Sequence, residues 1–279
     1  MKLLKGFSGG IIEIFIKIVA LISILPILSV LLYIGLKGIQ SISWTFLSSM
    51  PENGMREGGI YPAILGTVYL TILTLLIVVP LGVLTGIYLV EYSKKGIFLR
   101  LIELTILNLA GIPSIIYGLF GMALFVVHLK LGVSLLAGAL TLSIMCLPVI
   151  ITATKEALQQ VPTTLREASL ALGATKWQTI QRVILPSASP GILTGIILSI
   201  SRAAGETAPI MFTAVTFYIP FLPESIWDQI MTLPYHLFVV STQVSNMSRE
   251  IIDGTVFVLV VITVGFNLLG AYIREYLKK

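Results

Sequence analysis

The chain has 279 residues, of which 56% are apolar and only 11% charged, and its mean hydropathy is +1.00. No soluble domain of this length combines so little charge with so much apolar surface, and the apolar segments do not alternate as the strands of a membrane barrel do. The single cysteine, Cys146, lies in an apolar run, which excludes a disulfide framework or a metal cluster, so the class is an all-α polytopic membrane protein.

A hydrocarbon core about 30 Å thick takes about 20 apolar residues per crossing, and six such segments are expected. The first covers about 14–36, interrupted only by Pro26. It is longer than the 7–15 apolar residues of a secretory signal and leads into a bulky aromatic stretch, so it reads as a retained helix. Residues 37–60, with Trp44, Pro51 and Gly58-Gly59, form a loop. The second span is 61–90, where Gly82 and Gly86, four apart, suit close helix packing in lipid. A charged turn with Glu91, Lys94, Lys95 and Arg100 precedes the third span, 101–127. A tight turn at His128–Gly132 leads to the fourth, 133–153. A polar segment, 154–190, precedes the fifth, 191–217; a long loop, 218–250, and the sixth span, 252–273, complete the chain.

Basic residues in alternate loops set the orientation. One side carries twelve: Lys2, Lys5, Lys94, Lys95, Arg100, Lys155, Arg166, Lys176, Arg182, Arg274, Lys278 and Lys279. The other carries four: Lys37, Arg56, Lys130 and Arg249. Both termini and segment 154–190 are therefore expected in the cytoplasm. The same distribution accounts for the net charge of +5 without nucleic acid.

Segment 154–190 carries helix signals rather than linker composition. Thr164 and Glu167 have capping-box spacing, as do Thr175 and Gln178. Leu165, Ala168 and Leu172 recur at helical spacing, Gly173 suits a C-terminal cap, and Leu185-Pro186 is expected to stop the second helix. Two short amphipathic helices on this face suit either lipid headgroups or a groove in a partner protein. Sparse basic residues mixed with Glu156 and Glu167 favour the partner.

In the fifth span lies Arg202. A central arginine costs about 2.5–3.5 kcal/mol on insertion scales, so a functional role is its default reading. Glu206, four residues on, falls on the same helical face. The pair either joins helices or presents a guanidinium to a passing oxyanion, whose oxygens its planar fork matches. Glu206 then holds the arginine while the path is empty, or repels anions until the pair separates. Ser201 and Thr207 offer further donors, and Gly205 and Pro209 loosen the helix.

Glu167-Ala168-Ser169, Gly173 and Leu185-Pro186 resemble the EAA loop of ABC importer permeases, with Ser169 in place of alanine and Val183 in place of isoleucine. That resemblance implies a coupling helix seated in a cleft of an ATPase subunit. No phosphate-binding glycine loop occurs in this chain, so ATP and magnesium are expected on a partner and no cofactor here. The run Arg202–Pro209 is similar to phosphate ABC importer permeases. So are Gly58–Thr67, Glu91-Tyr92, Gly111–Gly118 and Met231–Pro234, and of the two paired permeases the PstA type is closer than PstC.

The resemblance implies a six-helix type I (MetI-like) fold, a non-enzymatic subunit of the inner membrane, and alternating access driven by ATP. Its implied partners are a second PstC-like permease, two ATPase subunits and an extracytoplasmic phosphate-binding protein, with loop 218–250 helping to receive the last. A permease for sulfate or molybdate shares the loop but is not expected to share the Arg202–Pro209 run. A gradient-driven transporter is expected to show inverted repeats or several intramembrane charges. An intramembrane enzyme needs a converging catalytic set that the spans lack.

Overall fold

The computed structural model describes residues 4–276. Lys2, Lys278 and Lys279, counted above toward orientation, lie outside the described residues, as does the side chain of Lys5. The helices are α1 (Leu4–Gly38), α2 (Trp44–Ser48), α3 (Tyr61–Ile87), α4 (Ile97–Ala110), α5 (Ser114–Gly121), α6 (Leu135–Gln159), α7 (Thr163–Ala171), α8 (Lys176–Thr179), α9 (Leu185–Gly205), α10 (Leu233–Thr242) and α11 (Arg249–Tyr276). Strands β1 (Pro51–Glu52) and β2 (Glu57–Gly58) pair antiparallel in the loop before α3. Single π turns follow α3 (Tyr88–Tyr92), α5 (Met122–His128) and α8 (Ile180–Ile184).

Helix α6 is the centre, with α3 on one side and α9 on another. Lipid gives no hydrophobic drive between helices, so close van der Waals approach has to hold them. A Cβ at Gly82 would lie 2.6 Å from Ile150 Cγ2, one at Gly86 2.6 Å from Thr154 Cγ2, and one at Gly191 2.6 Å from Ala157 Cβ. The pair Gly82 and Gly86 thus serves packing, as its spacing suggests. Two buried threonines in α3 satisfy their hydroxyls on the preceding turn, Thr67 donating to Ala63 O and Thr71 to Thr67 O, each at 2.7 Å, whereas the buried Thr74 hydroxyl has no partner among the described residues. By contrast α1 buries none of its apolar window; it meets the bundle near Gly38, against Phe257 and Asp253 of α11.

Five helical stretches are long and apolar enough to cross a membrane, and α4 with α5 forms a sixth, bent by 104°. The chain path makes that bent pair one crossing. The π turn after α3 meets α7 and α8, and the C-terminal end of α6 meets α7, so α3 ends and α6 begins on opposite faces, and α4–α5 must join them. The face carrying α7 and α8 is the loop end of the bundle.

Three expectations are corrected. Span 101–127 is not one straight helix: it breaks at Gly111–Pro113, because a proline disfavours helical backbone in the residue before it. The fifth span is not 191–217. One helical stretch runs from Lys176 to Gly205 and ends there, and residues 206–232 continue without a helix. Leu185-Pro186 does not stop it, because Leu185 N–H already bonds five residues back to Ile180 O in the π turn, so the ladder has shifted before the donorless proline arrives.

Residues 206–232 close the end of the bundle away from the loop end. The carbonyls of Ile226 and Asp228 accept from Leu136 N (2.9 Å) and Leu135 N (2.8 Å), and Ser134 Oγ accepts from Ala137 N. The free N–H groups of the first turn of α6 are thereby capped. This irregular segment buries Ile210, Ala214, Val215, Ile219 and Ile230, while Phe217, Phe221, Ile226 and Trp227 are exposed.

Candidate functional site

Helix α9 ends close to the mid-depth of the bundle. Cys146, near the middle of α6, approaches Ser199 O (3.9 Å), and Arg202 follows one turn later, in the last turn of α9. Its charge there complements the carbonyl end of the helix dipole. Glu206 is the C-terminal cap with extended backbone (φ −77°, ψ 137°), so the expected pairing forms across the end of the helix rather than along its side. Arg202 Nε donates to Glu206 Oε1 at 3.3 Å, the two side chains being 33% and 19% exposed. Nη1 and Nη2 of Arg202 have no protein partner among the described residues.

The second break lies beside the first. Tyr117 of α5 donates its hydroxyl across the α4–α5 bend to Leu109 O at 2.6 Å, and Tyr117 packs in one buried cluster with Cys146 and Ala203. Gly118 lets α5 approach the chain after Glu206: a Cβ there would stand 2.9 Å from Pro209 Cα and 3.0 Å from Ala208 O. Non-helical backbone at such depth is tolerated only where protein covers it or it lines a cavity. The two breaks cover each other, and Arg202 stands at their edge.

Of the other expected path residues, Thr207 is half-buried just past the break, and its carbonyl accepts from Met211 N (3.2 Å). Ser201 is turned to α11, its hydroxyl shared between Ile197 O and Asn267 Oδ1. It ties α9 to α11. Two of the stretches that resemble permease motifs, Gly58–Thr67 and Met231–Pro234, are joined: Leu233 N donates to Thr67 Oγ1 (2.8 Å), and Gly66 lies against Met231 O.

At the loop end, α7 and α8 are the two expected helices. The Thr175–Gln178 capping box is present in full: Gln178 N to Thr175 Oγ1 at 3.3 Å and Thr175 N to Gln178 Oε1 at 2.8 Å. The Thr164–Glu167 box is absent; Pro162 stands at the cap and its carbonyl accepts from Leu165 N, so the helix starts before Thr164 and leaves it inside the first turn. Gly173 (φ 83°) closes α7 with Ala174 N bonded to Ser169 O and Gly173 N to Leu170 O, a left-handed terminal cap that glycine adopts without strain. Glu167, Ala168 and Leu172 are exposed, Leu172 at 89%, while Ser169 bonds Thr179 at 2.9 Å. Leu185 and Pro186 begin α9 immediately after the π turn.

Sequence reasoning missed the partners of Glu91, which pairs with Arg166 at 3.1 Å, and the Lys155–Glu103 pair between α6 and α4. Both join separate elements, so no local spacing announces them; charge within or beside apolar runs was the available signal.

Residues 78–279 match the family described as binding-protein-dependent transport system inner membrane component. The probable ABC transporter permease protein YqgI of Bacillus subtilis is 35% identical over 88% of each chain. The phosphate transport system permease protein PstA of Mycobacterium leprae is 35% identical over 92% of this chain and 84% of its own. Among solved structures, the inward-facing methionine ABC transporter MetNI superposes with a TM-score of 0.60 at 20% identity, covering 79% of this chain and 95% of its own. A bacterial alginate ABC transporter in complex with its periplasmic protein gives a TM-score of 0.62 at 17% identity, covering 90% and 89%. The chain belongs to the binding-protein-dependent inner-membrane transport components, as a MetI-like multi-pass permease half of an ABC importer whose ATP hydrolysis resides in a separate subunit.

Proposed function

We propose that the protein is the PstA-type permease of an ATP-driven phosphate importer of the cytoplasmic membrane. Its partners on this reading are a second permease, two ATPase subunits and an extracytoplasmic phosphate-binding protein, with the loop end and both termini in the cytoplasm. The observation that carries the reading is Arg202. It stands at a mid-depth helix end, one third exposed, held by a single contact from Nε to Glu206. Its Nη1 and Nη2 are left for two oxygens of a passing phosphate, the bidentate geometry a guanidinium favours. The PstA name of relatives at 35% identity supports phosphate as the anion.

Alternating access follows from this layout. ATP binding closes the ATPase subunits on α7, the permease pair opens outward to receive phosphate from the binding protein, and hydrolysis returns it inward. Arg202 offers a brief contact, since a conducting site has to release what it takes. Glu206 keeps the guanidinium aligned between passages and sets a repulsive charge beside it, so the empty path does not retain anions.

Labelled-phosphate uptake by cells carrying Arg202→Gln tests the reading. Uptake is expected to fall at least tenfold, on the order of 1.4 kcal/mol or more of lost barrier lowering, with complex assembly and ATP hydrolysis intact. Near-native uptake would reduce Arg202–Glu206 to a contact that ends a helix.

A further inference from the structure

A second charged cluster lies at the loop end of α3, apart from Arg202 and Glu206. The π turn Tyr88–Tyr92 closes α3 and carries Glu91. The Glu91 carboxylate lies 3.1 Å from Arg166 Nη2 of α7, the two side chains being 10% and 20% exposed. The same guanidinium donates to Leu158 O (2.7 Å) and Val161 O (3.3 Å) at the end of α6. The Glu91 backbone carbonyl accepts from Lys176 of α8, whose ammonium stands 4.6 Å over the Tyr92 ring. Ser169 and Thr179 then join α7 to α8.

Helix α7 has no buried residue, so apolar packing does not fix it to the membrane bundle. Its side-chain hold is polar, through Arg166 and Ser169. Ser169 leads only to α8; Arg166 leads to the ends of both α6 and α3. In so dry a site the opposed charges attract far more strongly than at an exposed surface, and losing one leaves the other uncompensated.

We propose that Glu91 is the positioning residue through which displacement of α7 becomes displacement of α3. Arg166 and Lys176 grip the end of α3 from the two loop helices, so α7, α8 and that end move as one body. Helix α3 packs directly on α6, through Gly82 and Gly86, and its opposite end is pinned to α10 at Thr67–Leu233. A push on the loop therefore reaches the far side of the bundle along α3. This inference rests on α7 being the surface that meets the ATPase.

The test uses the intact importer, purified with its own second permease and ATPase and reconstituted in liposomes with inorganic phosphate and the binding protein. Glu91→Gln is expected to keep the ATPase subunit and hydrolyse ATP within twofold of the native rate. Phosphate taken up per ATP is expected to fall tenfold or more. Glu91→Asp, which restores the charge, is expected to recover at least half of that loss.

Spin labels at the exposed positions Leu84 and Leu165 give a readout independent of the transported anion, the native Cys146 being fully buried. Their separation is expected to be the same with and without ATP in the native protein, and to change with ATP in Glu91→Gln. Native uptake per ATP in Glu91→Gln, or a native label separation that already changes with ATP, overturns the inference. Leu172→Asp tests the docking reading apart from it. Loss of the ATPase subunit upholds docking, and its retention overturns both. Should Glu91→Gln fail to assemble, Lys176→Met removes only the outer grip and is expected to lower uptake per ATP about threefold; no change overturns the inference.

Discussion

Two arginine–glutamate pairs occupy different levels of this protein, at nearly equal distances: 3.1 Å for Arg166–Glu91 and 3.3 Å for Arg202–Glu206. Their surroundings separate them. Arg166 comes from α7 and Glu91 from the end of α3, their contact is one of charge rather than a hydrogen bond, and the guanidinium donates its N–H groups to two carbonyls of the α6 end. Arg202 and Glu206 are neighbours on one chain end, and only Nε is engaged. A guanidinium bonded on several sides between elements is a joint. One bonded on a single side, within one element, holds donors in reserve for a ligand.

The largest effect is expected where the joint is broken from its positive side. Arg166→Met leaves the Glu91 carboxylate, 10% exposed, without its opposite charge. Breaking a buried pair in this way costs about 3 kcal/mol, to be read as a drop in the thermal or denaturant midpoint of the purified complex. Glu91→Gln is expected to cost less, about 1 kcal/mol, because Arg166 keeps two carbonyls and partial solvent. Equal losses for the two variants would show that Arg166 depends on Glu91 as much as the reverse, and would weaken the asymmetry between joint and reserve.

Next in size is the fork itself. Arg202→Lys keeps the charge and the helix-end position but replaces a planar set of donors with a point charge. Phosphate uptake is expected to fall roughly tenfold, about 1.4 kcal/mol in barrier, and to remain above that of Arg202→Gln. Full uptake with lysine would mean that charge alone, not bidentate geometry, assists the anion.

The sequence makes these two sites legible to different degrees for a physical reason. Arg202–Glu206 is spaced four residues apart and stands alone in an apolar run, so both its pairing and its cost are visible. The apolar runs of α3, α6 and α11 announce themselves in the same way, and so does the small-residue spacing of Gly82 and Gly86. The helix breaks are hidden because hydropathy continues through them: Ala208–Phe217 and Ile112–Val127 are nearly as apolar as the helices beside them. Gly205, Pro209 and Pro113 mark a local weakness, but whether the helix stops depends on neighbouring segments that cover the freed backbone. Pro186 errs the other way, since a π turn upstream lets the helix pass. The Glu91 joint is the least legible, because every partner arrives from another element.

The smallest effect is expected at Glu206, and it is the one that separates the two pairs most cleanly. Glu206→Gln keeps an oxygen that accepts from Arg202 Nε and removes only the charge. Arg202 is one third exposed and at a helix C-terminus, where the dipole favours a cation without help. An ion pair of that exposure contributes below about 1 kcal/mol, so the midpoint of the complex should barely move and uptake should remain at half the native rate or better. A loss of stability as large as that of Arg166→Met would make Arg202–Glu206 a joint as well, its guanidinium occupied in holding the break rather than free for phosphate. The anion contact would then have to be sought on the facing permease.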